Sequence, residues 1–365
     1  MRPKVALYLF TALLLALSCG CSREETGALQ RTRFATGFDI LERNSARTVI
    51  RDAQGKRFTV VHGQGKGVGD SAAFRSPVRR VISLSAPAVP LIDAIDRLDT
   101  LVGVKLPEKS WHVQAVKERM KSGAITLVGD GSHEYVNFEL VAALKPELIF
   151  NNVDYSGKWG AFLEELGIRS VAVHTHMENS LLGQFEWVRM IAEFYGEGQK
   201  ADRLFNKRVE RYEAIRKKGG PPARPSVLWG TVYVNRASVP GGDSFIGRAV
   251  RDAGGSYALE KELAGRQGGY LSCDLEMFYK RGLEADLFII SSTKGGGVRR
   301  VSDLVSLNPM LKDLKSVKSG NVWCYRPTFW QAVDRPDEVL KDIAAMINPA
   351  GYPGYKPVYF EKLDL

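Results

Sequence analysis

Hydrophobic positions along this chain recur with two different periods, and the switches between them outline its elements. Between Asn179 and Gly220, Leu181, Phe185, Val188, Ile191 and Tyr195 keep helical spacing, and Leu204, Phe205, Val209 and Tyr212 resume it. Gly196 and Gly198 interrupt the run and predict two helices. The second, over 199–217, would span about 28 Å at 1.5 Å per residue, enough to bridge two lobes. Upstream, the strand-like runs "RRVISL", "TLVGV", "ELIF" and "SVAVHT" alternate with the helix-like "PAVPLIDAIDRL", "NFELVAALK" and "KWGAFLEELG". Downstream, "SVLWGTVYV", "ADLFIIS" and "NVWCY" alternate with "DSFIGRAVRDAGG", "LEMFYKRG" and "DEVLKDIAAMI". Strand–helix alternation of this kind predicts an α/β fold built on parallel sheets, here as lobe, long helix, lobe.

Local punctuation sharpens three helices. Asn137 is placed to cap a helix whose stripe is Leu140, Ala143 and Leu144 and which Pro146 ends. Asp243 is placed to cap a helix with Phe245, Ile246, Ala249 and Val250 on one face and Gly254 at its end. Asp274 sits two residues before Glu276, as Asn137 sits two before Glu139, and each segment continues into a buried strand. An acid in the first turn suits the helix macrodipole, which explains each glutamate singly and leaves the repetition as a clue.

The first 78 residues read differently. "MRPKVALYLFTALLLALSCGCSREE" joins two positive charges to an apolar run from Val5 to Leu17, too short to span a bilayer and followed at once by small residues and cysteines. This predicts an exported chain whose signal ends in a lipidated cysteine, at Cys19 after Ser18 or at Cys21 after Gly20. "TVIRDAQGKRFTVV" predicts a β-hairpin, and "HGQGKGVGDSAAFRSP" a linker ending near Pro77. The expected division is 1–21 signal and anchor, 22–78 hairpin extension and linker, 79–198 N-terminal lobe, 199–218 linker helix, 219–349 C-terminal lobe and 350–365 tail. Net charge is +10, and +8 without Arg2 and Lys4 of the signal. Lys and Arg are not interleaved with aromatics and no zinc-finger spacing occurs, so the bias suits an anionic ligand or lipid surface and not nucleic acid. Cys273 and Cys324 fit either a disulfide or two buried thiols.

Catalytic motifs are sparse. His174 and His176 would share a face if the strand in "VAVHTH" continued, making them candidate metal ligands and, with them, a metal-dependent hydrolase the reading from another class. His133–Glu134 is not an H-E-x-x-H motif, since position 137 is Asn, and no nucleophile elbow, P-loop or dinucleotide fingerprint follows a strand. Binding is better supported than catalysis. Trp111, Trp229, Tyr233, Tyr270 and Trp330 fall in segments read as loops or strand ends on both lobes, where they would line an inter-lobe cleft.

Several stretches together resemble the metal-chelate substrate-binding proteins of ABC importers, which take iron-siderophores, haem or cobalamin. They are "RRVISLSAPAVPLIDAI", "LVGD…VNFELVAALKPELIF", "GQKADRLF", "VPGGDSFIGRAVRDAGG" and "NPMLKDLKSVKSGNVWCYRP", covering about 79–349. The extension ahead of them resembles one found in Bacteroidetes-type members. The resemblance implies two Rossmann-like lobes joined by one rigid helix, ligand in the cleft, no catalysis and no cofactor other than the chelate carried as cargo. It also implies partners: a permease and an ATPase, with Glu139 and Glu276 as the permease-docking carboxylates. The membrane is met through a lipid anchor, at the periplasmic face of the inner membrane or at the outer membrane or cell surface, and a monomer is expected. Cobalamin-binding members carry a tryptophan shortly before each docking glutamate, where this chain has His133 and Tyr270. An iron-siderophore-type chelate is therefore the leading expectation, with cobalamin and haem as alternatives and Arg326 as a candidate contact to an anionic ligand.

Overall fold

The computed structural model describes residues 32–63, 73–132, 135–152, 158–221, 223–293 and 298–364. The signal segment with Cys19 and Cys21, His133, and parts of the two glycine-rich stretches lie outside these residues.

The hairpin extension forms a sheet of its own. β1 (Asp39–Arg43), β2 (Arg47–Arg51) and β3 (Arg57–His62) are antiparallel, and β4 (Phe74–Ser76) joins parallel to β3. The first lobe has a wholly parallel sheet of β5 (Val81–Ser83), β6 (Leu101–Val104), β7 (Thr126–Leu127), β8 (Leu148–Asn151) and β9 (Ser170–Ala172), in the order β7-β6-β5-β8-β9. Its helices are α1 (Ala88–Ala94), α2 (Gln114–Lys121), α3 (Phe138–Ala143) and α4 (Lys158–Glu165). α5 (Leu181–Glu193) then packs beside the long α6 (Gly198–Lys218). Gly196, at φ +68, makes the left-handed turn between them that a residue with a Cβ adopts only at a cost.

The second lobe is built on β10 (Ser226–Val232), which pairs parallel with a short β12 (Ser256–Tyr257) on one side and with β14 (Leu287–Thr293) on the other; β14 pairs with β15 (Val322–Tyr325). β11 (Arg236–Pro240) and β13 (Tyr270–Asp274) extend the far end of β10 as antiparallel strands. Its helices are α7 (Phe245–Asp252), α8 (Leu275–Gly282), α9 (Val301–Leu307), α10 (Lys315–Lys318) and α11 (Pro336–Ile347). The tail adds an unanticipated strand, β16 (Phe360–Lys362), antiparallel to β15. Buried Asp342 on α11 holds that tail, accepting from the Tyr355 hydroxyl (2.6 Å) and the Val358 and Tyr359 amides (2.8 and 2.6 Å).

One cap differs from expectation. Ser244, not Asp243, caps α7, its hydroxyl accepting from the Gly247 amide, while the Asp243 carboxylate accepts from the Gly265 amide instead. The shorter serine side chain reaches the helix amide, which frees the aspartate to tie down a neighbouring turn.

The extension is part of the main core. All thirteen residues of α5 are buried, including Gln184, Glu186, Arg189 and Glu193, because the strap 33–38 and its sheet cover the helix's outer face. The buried carboxylates are matched to backbone donors. Glu186 accepts from the Arg33, Phe34 and Ala35 amides at 2.8–3.0 Å, and Glu178 from those of Thr36 and Gly37 at 2.8 and 3.0 Å. Gly37 is needed there, since a Cβ would sit 2.7 Å from the Trp187 ring. In the hairpin turn, Asp52 accepts from the Gln54 and Lys56 amides and also from the Ala172 amide of β9 at 3.0 Å, satisfying a donor on that lobe's edge strand.

Candidate functional site

In open parallel sheets, ligands sit beyond the carboxyl ends of the strands, and here the carboxyl ends of both sheets adjoin the inter-lobe seam. On the second lobe, that edge is an aromatic cluster. Tyr325 at the end of β15 accepts from the Trp229 indole (2.8 Å), shares a hydrogen bond with Tyr270 (2.7 Å), and stacks on Phe329 with centroids 4.1 Å apart. Trp330 lies edge-on to Tyr325 and Tyr270, at 5.2 and 6.3 Å, and keeps 47% of its surface exposed. Burial pushes the Tyr270 hydroxyl up to about 12 and that of Tyr325 well above the usual tyrosine value, so both phenols stay protonated.

Across the seam stand His174 and His176. β9 ends at Ala172 and Thr175–Met177 form a 3₁₀ turn, so the strand alternation expected to align the two imidazoles does not operate. Their ring centroids are 6.1 Å apart. Burial, reinforced by neighbouring His176, pulls His174 down to about 4, so it stays neutral at ordinary pH. Among the described residues, no three His, Cys, Asp or Glu side chains come together as a metal site, so the pair lacks a third ligand. Instead, His176 and Trp330 line one small cavity of ≈ 70 Å³ between the lobes, with Phe245, Phe329 and Val333. Met177 lies against Gly268 of the opposite lobe.

A wider groove of ≈ 730 Å³ continues along the seam, walled by Asp93, His112 and Val113 on one side and by Arg326, Asp334 and Arg335 on the other. Gln331 ties its walls together: its side-chain amide donates to the Ser110 carbonyl (2.7 Å) and accepts from the His112 amide (2.8 Å). Burial raises both Asp93 and Asp334, and the proximity of Asp334 adds to the effect on Asp93.

The structure therefore brings together Tyr270 and Trp330, with Arg326 in the adjoining groove. Trp111 and Trp229 do not reach the cleft. Both are fully buried, Trp111 donating to the Leu106 carbonyl at 3.0 Å and Trp229 supporting Tyr325 from beneath. Each fills its own lobe, the usual fate of an indole whose N–H finds a partner inside. Tyr233 is half exposed on the β10–β11 hairpin, with the Arg236 guanidinium 5.5 Å from its ring. Phe329, Gln331 and Met177 were missed; they lie in short 3₁₀ turns that carry no periodic signal. Cys273 and Cys324 are buried thiols that form no disulfide, so the disulfide alternative falls, and burial lifts Cys273 to about 11.

The paired glutamates occupy equivalent places. Asn137 caps α3 through the Leu140 amide (2.9 Å), and Asp274 caps α8 through the Glu276 and Met277 amides (2.8 and 3.2 Å). α3 leads into β8, which pairs with its lobe's first strand as Val81 opposite Leu148; α8 leads into β14, which pairs with its own first strand as Val227 opposite Leu287. Glu139 and Glu276 are both exposed in the first turn, and neither carboxylate has a partner among the described residues.

Two α/β lobes joined by one long helix, with an aromatic shelf and imidazoles meeting at their seam, define a solute-binding protein. The sequence profile described as periplasmic binding protein matches residues 81–328, and the chain belongs to that family. An uncharacterised lipoprotein of Methanocaldococcus jannaschii is 28% identical over 332 residues, covering 87% of this chain and 78% of its own. A periplasmic solute-binding protein of Veillonella parvula shares the fold at a TM-score of 0.60 and 20% identity, over 85% of this chain and 88% of the other. The periplasmic haem-binding protein HutB of Vibrio cholerae does so at 0.59 and 17%, over 75% and 99%. Members of the family are extracytoplasmic solute-binding proteins, not enzymes, that serve ABC importers. This overturns the hydrolase reading. No helix among the described residues is long and apolar enough to cross a membrane.

Proposed function

We propose that the chain is the lipid-anchored substrate-binding subunit of an ABC importer, that it works as a monomer, and that it carries a ferric-siderophore-type chelate to a permease. The observation that carries the importer reading is the twin placement of Glu139 and Glu276. Each is exposed, has no partner for its carboxylate among the described residues, and is held on a capped first turn at the same topological position of its lobe. Two carboxylates fixed that way can each accept a bidentate arginine and set the register of docking. The anchor is Cys19 or Cys21, in keeping with a relative named as a lipoprotein.

For the ligand, the half-exposed Trp330 ring beside Tyr270 offers an aromatic face, and Arg326 supplies positive charge in the adjoining groove. That combination suits the catecholate or hydroxamate rim of an anionic chelate. Haem is the second reading, favoured by the imidazole of His176 lying opposite Trp330 in one cavity. His133, which precedes Glu139 by a few positions in the sequence, lies outside the described residues. The test has two arms. The ligand that copurifies is identified by absorbance and mass spectrometry, where a porphyrin or corrin would displace the siderophore reading. Glu139→Ala with Glu276→Ala should abolish uptake while ligand affinity stays unchanged; intact uptake, or affinity lost with docking intact, would overturn the docking role.

A further inference from the structure

α6 has a second surface that core packing leaves free. Over Gly198–Lys218 it carries eight Lys and Arg residues against three Asp and Glu. Ala201, Phe205, Val209 and Tyr212 face inward, so Arg203, Lys207, Ala214 and Lys217 share the opposite side at helical spacing, with Arg211 on its flank. All five are exposed. Arg203, Lys207 and Lys217 have no ion-pair partner among the described residues, and Arg211 has only a 3.9 Å approach to Asp337. Glu210 is the acid on this side, and Glu213, on the flank opposite Arg211, is paired with Arg216 at 2.6 Å. The row from 203 to 217 is about 21 Å long at 1.5 Å per residue.

A second, independent observation concerns where the amino-terminal chain arrives. The strap meets the body beside this face: Arg33 donates to the Asn206 side chain at 3.3 Å, and the Phe34 and Phe205 rings lie 6.1 Å apart. Ten residues separate Cys21 from Thr32, so a lipid on Cys21 holds the strap within about 40 Å of a bilayer at roughly 3.5 Å per residue. The basic row thus adjoins the place where the tether joins the body.

The topology fixes which way this face looks. The start of α6 meets the end of α1, where Lys200 reaches the Ile95 carbonyl and Glu197 pairs with Arg97, just before β6 begins. Its end leads directly toward the start of β10. Both ends of α6 therefore lie at the amino-terminal edges of the two sheets. Glu139 and Glu276, on the first turns of helices that run back along their sheets, lie at the opposite, carboxyl-end pole with the cleft.

We propose that the exposed face of α6 is a contact surface for an anionic lipid bilayer, and that the tethered protein rests on it with its cleft directed away from the membrane. This rests on the reading of the chain as a lipid-tethered binding protein. A row of lysines and arginines without apolar anchors suits reversible adsorption to anionic headgroups, weakened by salt. Docking to a permease in the same bilayer would then require the body to leave this resting contact and turn its glutamate-bearing pole toward the membrane.

The test uses the mature chain beginning at Ser22, which carries neither lipidation candidate, in cosedimentation with phosphatidylcholine vesicles with or without phosphatidylglycerol. Binding is expected only with phosphatidylglycerol and should fall as salt rises. Arg203→Gln, Lys207→Gln, Arg211→Gln and Lys217→Gln should each weaken it about fivefold. Arg203→Lys with Arg211→Lys should retain it, because the interaction needs charge and not fork geometry. Melting temperature and ligand affinity of the quadruple glutamine variant report whether the fold is intact. No phosphatidylglycerol-dependent binding, binding that survives the quadruple variant while the fold is intact, or stronger capture by heparin than by vesicles would overturn the proposal. Glu139→Ala with Glu276→Ala should leave vesicle binding unchanged, so failure of the docking role and failure of the lipid face are read separately.

Discussion

Glu186 provides the sharpest test of how the amino-terminal strap is held. Its side chain is 0% exposed, accepts from the Arg33, Phe34 and Ala35 amides, and pairs with Arg189 at 2.8 Å. Glu186→Ala removes four donors' partner at once. The Arg33 and Phe34 amides are near the surface and can be rewetted, and Arg189 keeps its contact to Asp202 at 2.8 Å. The Ala35 amide is buried and keeps no equivalent partner. Removing one side of a buried charge pair costs 3–5 kcal/mol, and partial rewetting places this substitution near the lower end, at about 3 kcal/mol. Glu186→Gln keeps one carbonyl oxygen but turns an amide donor toward other donors, for about 2 kcal/mol. Urea unfolding measures the loss, and hydrogen exchange locates it. Protection of residues 35–40 should collapse in the alanine variant while that of β8 persists. Glu210→Ala, on the exposed side of α6, should stay within about 0.5 kcal/mol. A loss below about 1 kcal/mol for Glu186→Ala with strap protection intact would refute the account of carboxylate-pinned amides.

Two further outcomes test the tail and the seam. Burial pushes Asp342 up to about 6 despite its three donors. The native state then binds this proton more tightly than the unfolded chain, so the group's contribution to stability rises as pH falls from 7 through 6 and is complete below about 4. The unfolding free energy of the wild type should therefore rise relative to that of Asp342→Asn by on the order of 2 kcal/mol from pH 7 to pH 4, and a constant difference would count against it. Gln331→Ala removes both hydrogen bonds that tie 110–112 to the second lobe, and should speed exchange of the His112 amide about tenfold while costing 1–2 kcal/mol; an unchanged exchange rate would show that the seam is held elsewhere.

The parts of this protein readable in its sequence are those governed by short-range physics. Helical periodicity separated α5 from α6 at Gly196, and alternation of strands and helices indicated two parallel α/β lobes. Asn137 and Asp274 announced their caps because the capping bond spans only two or three residues. The repetition of a glutamate two places after each cap was visible as a pattern. Its topological equivalence emerged only when β8 and β14 were seen beside the first strands of their lobes.

Aromatic candidates divided for a reason the sequence does not encode. Trp111 and Trp330 sit in similar irregular segments, yet the indole N–H of Trp111 finds the Leu106 carbonyl inside its lobe while Trp330 stays at the seam. Whether a ring packs inward depends on which backbone carbonyl lies within reach after the chain has folded. The polar positions of α5 pose the same problem. Glu186, Arg189 and Glu193 look like a solvated face, and become interior because a strap about 150 residues earlier supplies amides to Glu186, which in turn pairs with Arg189, while Thr48 and Arg43 of the extension's sheet reach Glu193.

Sequence alone determined the alternation of elements, the long helix, the caps and the two acids, all set by contacts among residues close along the chain. Tertiary structure decided which aromatics reach the cleft, that the two cysteines form no disulfide, that the extension shares the main core, and that the basic face of α6 looks away from the glutamates. Several of those outcomes depend on partners far apart in the chain, as with the Gln331 side chain and the Ser110 carbonyl, 221 residues apart. No local pattern records such a pairing, because only the closed fold brings its two ends within hydrogen-bonding distance.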